Sequence, residues 1–323
     1  MLSWRLITIP LKLLLTIIVL YLLWVLIAFR DIPVAELEQK YGGNNLQTTS
    51  IDGVNIRYKV EGNGPPIVLI HSHFFTMRQW QAWVDILKDD FTVIRFDLTS
   101  HGLTGPDPTG DYSRKRSTVL LNGLMQHIGI NHFNLVGSST GGGIAYTYAA
   151  THPEQINKLV LINTPGMPKV TNKYMKKELP TWGGFIFYLL PESLFSDFLK
   201  APIIDDALVT DAMVKEFHQM YRRSGNRMAE YQRMRGYEKG DVTSILEKIT
   251  APTLIMWGEK NPQLPVEHVE QFQQKLRSSP NVQTIIYPDI GHVIPIENPQ
   301  QSALDVRKFF KQITIRMNDK TNE

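Results

Sequence analysis

Five residues, Gly137-Ser138-Ser139-Thr140-Gly141, join the apolar run "FNLV" to a stretch of helical character and set a hydroxyl between two glycines. At a sharp bend from strand into helix the backbone is crowded, and residues without a Cβ permit it, so Ser139 would project above the sheet. The first helical turn then offers unpaired N–H groups to a developing oxyanion. An alcohol is a weak nucleophile at neutral pH and needs a base, normally an imidazole whose ordinary pKa is about 6.5. His292, in "YPDIGHVIPIENP", is the best placed of the histidines, in a turn just after the last expected strand, at the carboxyl edge where ligands bind such sheets. His127, His132, His152, His218 and His268 fall on expected helices or their ends and read as surface residues. Together Ser139 and His292 carry the chemistry of nucleophilic catalysis.

Several elements must position that pair. "TTSIDGVNIRYKVEG" reads as two strands around an Asp52-Gly53 turn, with Ile51, Val54, Ile56 and Tyr58 inward. "PPIVLIHS" is an apolar run of the kind buried on both faces of a parallel sheet. Helix is expected over 79–88, 112–128, 141–150, 265–276 and 299–311, and strand at "FTVIRFD", "HFNLVGS", "KLVLINT", "APTLIMWGE" and "VQTIIYP". This alternation is that of an α/β, doubly wound, mostly parallel sheet. It stops between Pro165 and Gly240, a span too long for a bare loop and best read as a helical insertion, giving a core over 31–164 and 241–323 and a cap over 165–240.

The chain has 323 residues, 43% of them hydrophobic, and a net charge of only +3 with Lys and Arg dispersed, which excludes nucleic acid as an expected partner. "SRKRS" at 113–117 reads as a solvated helix face. With no cysteine, disulfides, thiolate metal sites and cysteine nucleophiles are out. Residues 1–30 stand apart: Leu13 to Phe29 is an uncharged apolar run of about 17 residues, extended by Leu6 to Leu11, and reads as an N-terminal membrane anchor. A cleaved signal peptide is the rival reading, and "LIAFRDIP" matches its cleavage pattern poorly. Arg5, Lys12 and the amino terminus outweigh Arg30, which points to a cytoplasmic N-terminus and an exported body.

These motifs resemble the α/β-hydrolase fold family, specifically bacterial serine hydrolases with a helical cap, over roughly Asp31 to Lys311. The likeness rests on "VGSSTGGGIA", "LIHSHFFTMRQW", "FDLTSHGLTGPD", "LIMWGEKNP" and "GHVIPIENP", in the family's order. It implies Ser139 as nucleophile, His292 as base, and the N–H groups of His73 and Thr140 as oxyanion hole. His71-Ser72 stands where the family has His-Gly, a departure that puts a Cβ into the loop that aims an N–H. The His73 side chain is expected to be a bystander, with substrate polarisation as the alternative, and His101 is expected to be structural.

At the acid position, where relatives have aspartate, this chain has Asn261, and the alternative family position is Asn163. An amide can accept the Nδ1–H of His292 or turn its NH₂ toward the ring and favour the wrong tautomer. Three readings stay open: a substitute carboxylate from Glu259, Asp289 or Glu297; slow chemistry with an amide orienter; or a binding scaffold without hydrolysis. Ser139 at the elbow excludes an aspartate nucleophile. The cap residues Trp182, Phe185, Phe187, Tyr188, Leu189, Leu190, Leu194, Phe195 and Phe198 pack the cap and make the cleft apolar, which suits lipid-like or other hydrophobic esters. The resemblance implies an acyl-serine intermediate, with no metal or organic cofactor. C–C bond hydrolysis and cofactor-free oxidation on the same fold stay open.

Overall fold

The computed structural model describes residues 3–167, 179–237 and 242–312. Eight strands form one sheet: β1 (Gln47–Ile51), β2 (Val54–Glu61), β3 (Pro66–Ile70), β4 (Thr92–Phe96), β5 (Phe133–Ser138), β6 (Ile156–Ile162), β7 (Thr253–Gly258) and β8 (Val282–Tyr287). Their spatial order is β1-β2-β4-β3-β5-β6-β7-β8. The β1–β2 and β2–β4 pairs are antiparallel and the rest parallel. The order reverses at β3, so the crevice beyond the carboxyl ends of β3 and β5 is the switch point where such sheets bind ligands.

The apolar runs are continuous because both faces of the sheet are covered. Successive residues point to opposite faces, so Val68, Ile70, Leu135, Leu159, Leu161, Ile255 and Trp257 enter one core while Ile67, Leu69, Val136, Val160, Ile162, Leu254 and Met256 enter the other. The first core is closed by α4 (Arg114–Ile128), α5 (Thr140–Thr151) and α10 (His268–Lys275); the second by α3 (Gln81–Leu87) and α12 (Pro299–Lys311). Expected and observed elements agree within a few residues; the helix expected from Gln79 starts as a 3₁₀ turn at Met77–Trp80.

The remaining helices are α1 (Ser3–Ala28), α2 (Val34–Leu37), α6 (Glu192–Lys200), α7 (Asp211–Tyr221), α8 (Asn226–Arg235), α9 (Thr243–Leu246) and α11 (Ile294–Glu297). Between β6 and β7 the described residues form a 3₁₀ stretch, Thr181–Leu189, followed by α6, α7 and α8. These lie over the carboxyl edge, where Phe195, Leu199, Val214, Phe217 and Tyr221 enclose a third core with Phe75 and Val293 from the loops after β3 and β8. Of the apolar residues expected to pack this segment, Phe195 does so fully, whereas Trp182, Phe185, Leu189, Leu194 and Phe198 are exposed.

The expected anchor falls on α1. Its described side chains run from Lys12 to Trp24, with Ile27, a stretch that rises about 20 Å against a hydrocarbon layer of about 30 Å. Among the described residues no helix is long and apolar enough to cross a membrane. The segment before β1, expected as a plain connector, contains α2 and one π-helical turn, and it buries Leu37.

Three surface expectations are corrected. His218 is buried, with its Nε2 at 3.1 Å from the Leu190 carbonyl oxygen. His268 is buried beside Trp257. Arg116 is not solvated either: its guanidinium pairs with Asp107 and Asp52. For His218 and Arg116 a partner outside the local helix supplies the polar contact that allows burial.

Phe195→Ala should empty the centre of the third core and cost about 3–5 kcal/mol. A urea titration followed by far-ultraviolet circular dichroism should show a lower unfolding midpoint; an unchanged midpoint would mean that this packing contributes nothing.

Candidate active site

Ser139 is the cap residue between β5 and α5, and its backbone is left-handed, at φ 50° and ψ −117°. A serine held there is strained by roughly 1–3 kcal/mol. Its neighbours explain why it persists. A Cβ on Gly137 would lie 2.3 Å from the Gly141 carbonyl oxygen, and one on Gly141 would lie 2.3 Å from that of Ile70. The chain must reverse inside a space that only glycine fits. The Ser139 N–H is tied to the Ile162 carbonyl at 2.9 Å, across to β6.

The hydroxyl meets an imidazole. Ser139 Oγ lies 2.8 Å from His292 Nε2, and His292 Nδ1 lies 3.1 Å from Asn261 Oδ1. The imidazole is buried among these partners. Asn261 Oδ1 also accepts the backbone N–H groups of Gln263 at 3.0 Å and Leu264 at 3.1 Å. Two fixed donors hold the oxygen, not the NH₂, at that place, because a turned amide would oppose donor to donor. His292 therefore carries its proton on Nδ1 and turns the Nε2 lone pair to Ser139, the tautomer that proton abstraction requires. What Asn261 lacks is the charge that would stabilise the imidazolium.

Among the described residues, the three carboxylates expected as substitutes are exposed or engaged elsewhere. Glu259 is exposed. Asp289 is exposed and pairs with Lys260. Glu297 works on the backbone instead, accepting from Gly291 N–H at 2.9 Å, Val293 N–H at 2.8 Å and Ile204 N–H at 3.0 Å. It clamps the histidine turn and ties it to the segment after α6. Asn163, fully buried, donates to the carbonyls of Gly291 at 3.2 Å and His292 at 2.8 Å and accepts Gly258 N–H at 3.1 Å. It needs both amide functions, so an aspartate there would face two carbonyl oxygens without a donor.

The loop after β3 supplies the other wall. Ser72 keeps an ordinary backbone and donates its hydroxyl to Ser138 Oγ at 2.9 Å, while its N–H goes to Gln79 Oε1 at 3.0 Å. The Cβ that replaces a family glycine is thus accommodated, and the left-handed residue of the loop is Phe74, at φ 64°. His73 follows the Ser72 that bonds to Ser138, Thr140 follows Ser139, and among the described residues no protein acceptor is seen for the backbone N–H of either. Backbone donors of this kind can serve an oxyanion.

The histidines near the loop divide by role. His71 is fully buried, bonded through Nδ1 to the Ser72 carbonyl and through Nε2 to Leu98 N–H, and burial pushes it down to about 4, so it stays neutral. His101 accepts Phe74 N–H at 3.3 Å on Nε2 and is held well below its ordinary value, again chiefly by burial. The His73 side chain has a partner in α8: its Nε2 meets Glu230 Oε1 at 2.5 Å. Glu230, like the parts played by Asn163 and Glu297, gave no sign in the sequence. "AEYQRMR" reads as an ordinary polar helix, and the burial of its glutamate depends on what the helix lands on.

The alpha/beta hydrolase fold model matches residues 65–299. The chain is similar to the uncharacterized hydrolase YugF of Bacillus subtilis (strain 168), 25% identical over 279 residues that cover 82% of this chain and 98% of that protein. It is also similar to monoacylglycerol lipase abhd6-A of Xenopus laevis, 26% identical over 289 residues, 81% of this chain and 80% of that protein. Among solved structures it matches a membrane phospholipase A described as a bacterial virulence factor, with TM-score 0.69, 23% identity and 95% and 98% coverage of the two chains. The meta-cleavage product hydrolase CumD of Pseudomonas fluorescens IP01 matches with TM-score 0.68 at 19% identity, covering 82% and 97%.

Asn261→Asp should keep the tautomer and add the missing charge, raising the rate at which a fluorophosphonate labels Ser139 by about tenfold or more. No gain in a time course of labelling would mean that orientation alone limits the native site. Asn163→Asp should lower the thermal midpoint, consistent with about 1–3 kcal/mol for unsatisfied buried groups. Differential scanning fluorimetry reads it directly.

Proposed function

The chain belongs to the α/β-hydrolase family, and on that premise we propose that it is a serine hydrolase of hydrophobic carboxylic esters, working through an acyl-serine intermediate. The observation that carries this reading is the 2.8 Å contact from Ser139 Oγ to His292 Nε2, with Nδ1 directed to a fixed acceptor. In this reading His292 takes the hydroxyl proton as Oγ attacks the ester carbonyl, and the N–H groups of Thr140 and His73 receive the oxyanion. His292 returns the proton to the leaving alcohol, and a water activated by the same imidazole releases the acyl group. Because Asn261 is uncharged, the imidazolium is less stabilised than beside a carboxylate. In a serine protease triad the corresponding Asp-to-Asn change costs about 10⁴ in kcat, through the wrong tautomer. That part of the loss is avoided here, and the reading is of a slow but competent site.

An apolar substrate is supported by the aromatic side chains of Phe74, Phe198 and Tyr221 around the loop of His73, with Phe74 to Phe198 ring centroids 5.7 Å apart. A membrane tether through α1 is part of the same proposal. It is supported by the apolar sequence and by the junction below it, where Arg227 binds the Phe29 carbonyl, Asp31 and the Tyr188 carbonyl together. Trp182, Phe185, Ile186 and Leu189, all more than half exposed, lie in the 3₁₀ stretch joined to that knot. The similarity to a monoacylglycerol lipase agrees with lipid-like esters. A cytoplasmic N-terminus with an exported body completes the proposal, on the balance of flanking charges.

Ser139→Ala should abolish both p-nitrophenyl ester turnover and fluorophosphonate labelling, and His292→Ala should lower kcat at least about 10³-fold. If the native protein neither turns over esters nor is labelled, while Asn261→Asp is labelled, the fold serves as a binding scaffold. For the tether, the full chain should float with phosphatidylcholine vesicles in a density gradient and stay with them in high salt; sedimentation away from lipid would exclude it.

A further inference from the structure

Glu230 is a buried carboxylate, 1% exposed, and it belongs to α8 rather than to the sheet. Four groups converge on it. His73 Nε2 lies 2.5 Å from Oε1; Arg233, one turn on, donates to both oxygens at 2.8 and 2.9 Å; Ser100 donates to Oε2 at 3.2 Å; and His101 Nε2 lies 3.8 Å from Oε2. His73, His101 and Glu230 bring three donor atoms within reach of one metal ion. The donor set does not suit one. Arg233 already occupies both carboxylate oxygens with a positive charge, and the Nε2 lone pair of His101 is taken by Phe74 N–H.

The two residues this cluster grips are the ones that shape the loop after β3. Phe74 is a left-handed non-glycine residue, a conformation that persists only where surroundings enforce it. Its ring stacks on His73 at 3.9 Å and meets Phe195, Phe198 and Tyr221 from α6 and α7. Its N–H is held by His101, in the loop that Ser100 ties to Glu230. One carboxylate thereby fixes the His73 side chain and the acceptor of the following N–H.

We propose that Glu230 is a positioning residue: through the imidazole of His73 it holds the strained His73–Phe74 loop so that the His73 N–H faces Ser139, and α8 thereby sets the oxyanion hole. The inference rests on the serine-hydrolase reading and names a regulator of that site. Any shift of α8 moves the donor, so packing of the roof and competence of the site are one equilibrium.

The test compares Glu230→Gln, His73→Leu, His73→Gln and the double variant His73→Leu/Glu230→Gln in the full chain, by ester kinetics and by hydrogen exchange of amides 72–75. Glu230→Gln and His73→Leu should each lower kcat by about tenfold to a hundredfold with KM little changed, in line with loss of one oriented oxyanion donor. The double variant should be no worse than the poorer single. His73→Gln, whose amide can still donate to Glu230, should retain most of kcat. Exchange at 72–75 should quicken in Glu230→Gln and His73→Leu while β5 stays protected. Unchanged kcat and exchange in Glu230→Gln would overturn the proposal, and so would a His73→Gln enzyme as impaired as His73→Leu, since the imidazole would then act on substrate itself. Should Glu230→Gln unfold α8, His73→Leu decides alone, because it leaves the Arg233 pair intact. A wild-type chain without turnover would end the hydrolase reading, and the exchange data would still judge the strut.

Discussion

The reversal of the chain at Ser139 is the constraint to which the rest of the site is fitted. A left-handed serine between β5 and α5 is unfavourable by itself, and it is held by its N–H bond to β6 and by the absence of side chains at Gly137 and Gly141. Once it is fixed, the hydroxyl has one direction, above the carboxyl edge. The histidine turn after β8 must then reach it, and Asn163 and Glu297 hold that turn by its backbone alone. The precision of the 2.8 Å contact comes from amide and carboxylate bonds to main-chain atoms, which leave the imidazole little freedom.

The amide at position 261 separates two roles that a carboxylate normally combines. An aspartate both orients the imidazole and stabilises its charged form. Here the N–H groups of Gln263 and Leu264 orient the amide, which orients the ring, and the charge is absent. In the proposed reading the proton relay is thus assembled but electrostatically weak. Among the described residues, Glu259 and Asp289 face solvent.

Charge is concentrated instead on the opposite wall. Burial pushes the Glu230 carboxyl up, but Arg233 and His73 more than offset this and hold it well below the usual carboxylate range. A fully paired buried carboxylate is a rigid fixture, costly to break and specific in what it aligns. The neutral histidines His71 and His101 do similar work by accepting single backbone N–H groups. His71, His73 and His101 are thus all bonded in and around one loop.

The sequence alone determined the fold class, the order of strands and motifs along the chain and the pairing of Ser139 with His292, because these depend on local rules: apolar runs of strand length, glycines flanking a bend, a histidine in the final turn. Ser139, His292 and Asn261 were legible as a set for that reason. It could not decide which way the Asn261 amide points, since the two N–H groups that fix it are defined by how the loop closes. Nor could it show that Glu230, on a helix that reads as polar, is buried against His73, or that His218 and His268 leave the surface. Burial and pairing of a polar side chain depend on partners more than a hundred residues away as readily as on neighbours, and only the packed tertiary structure brings them into contact.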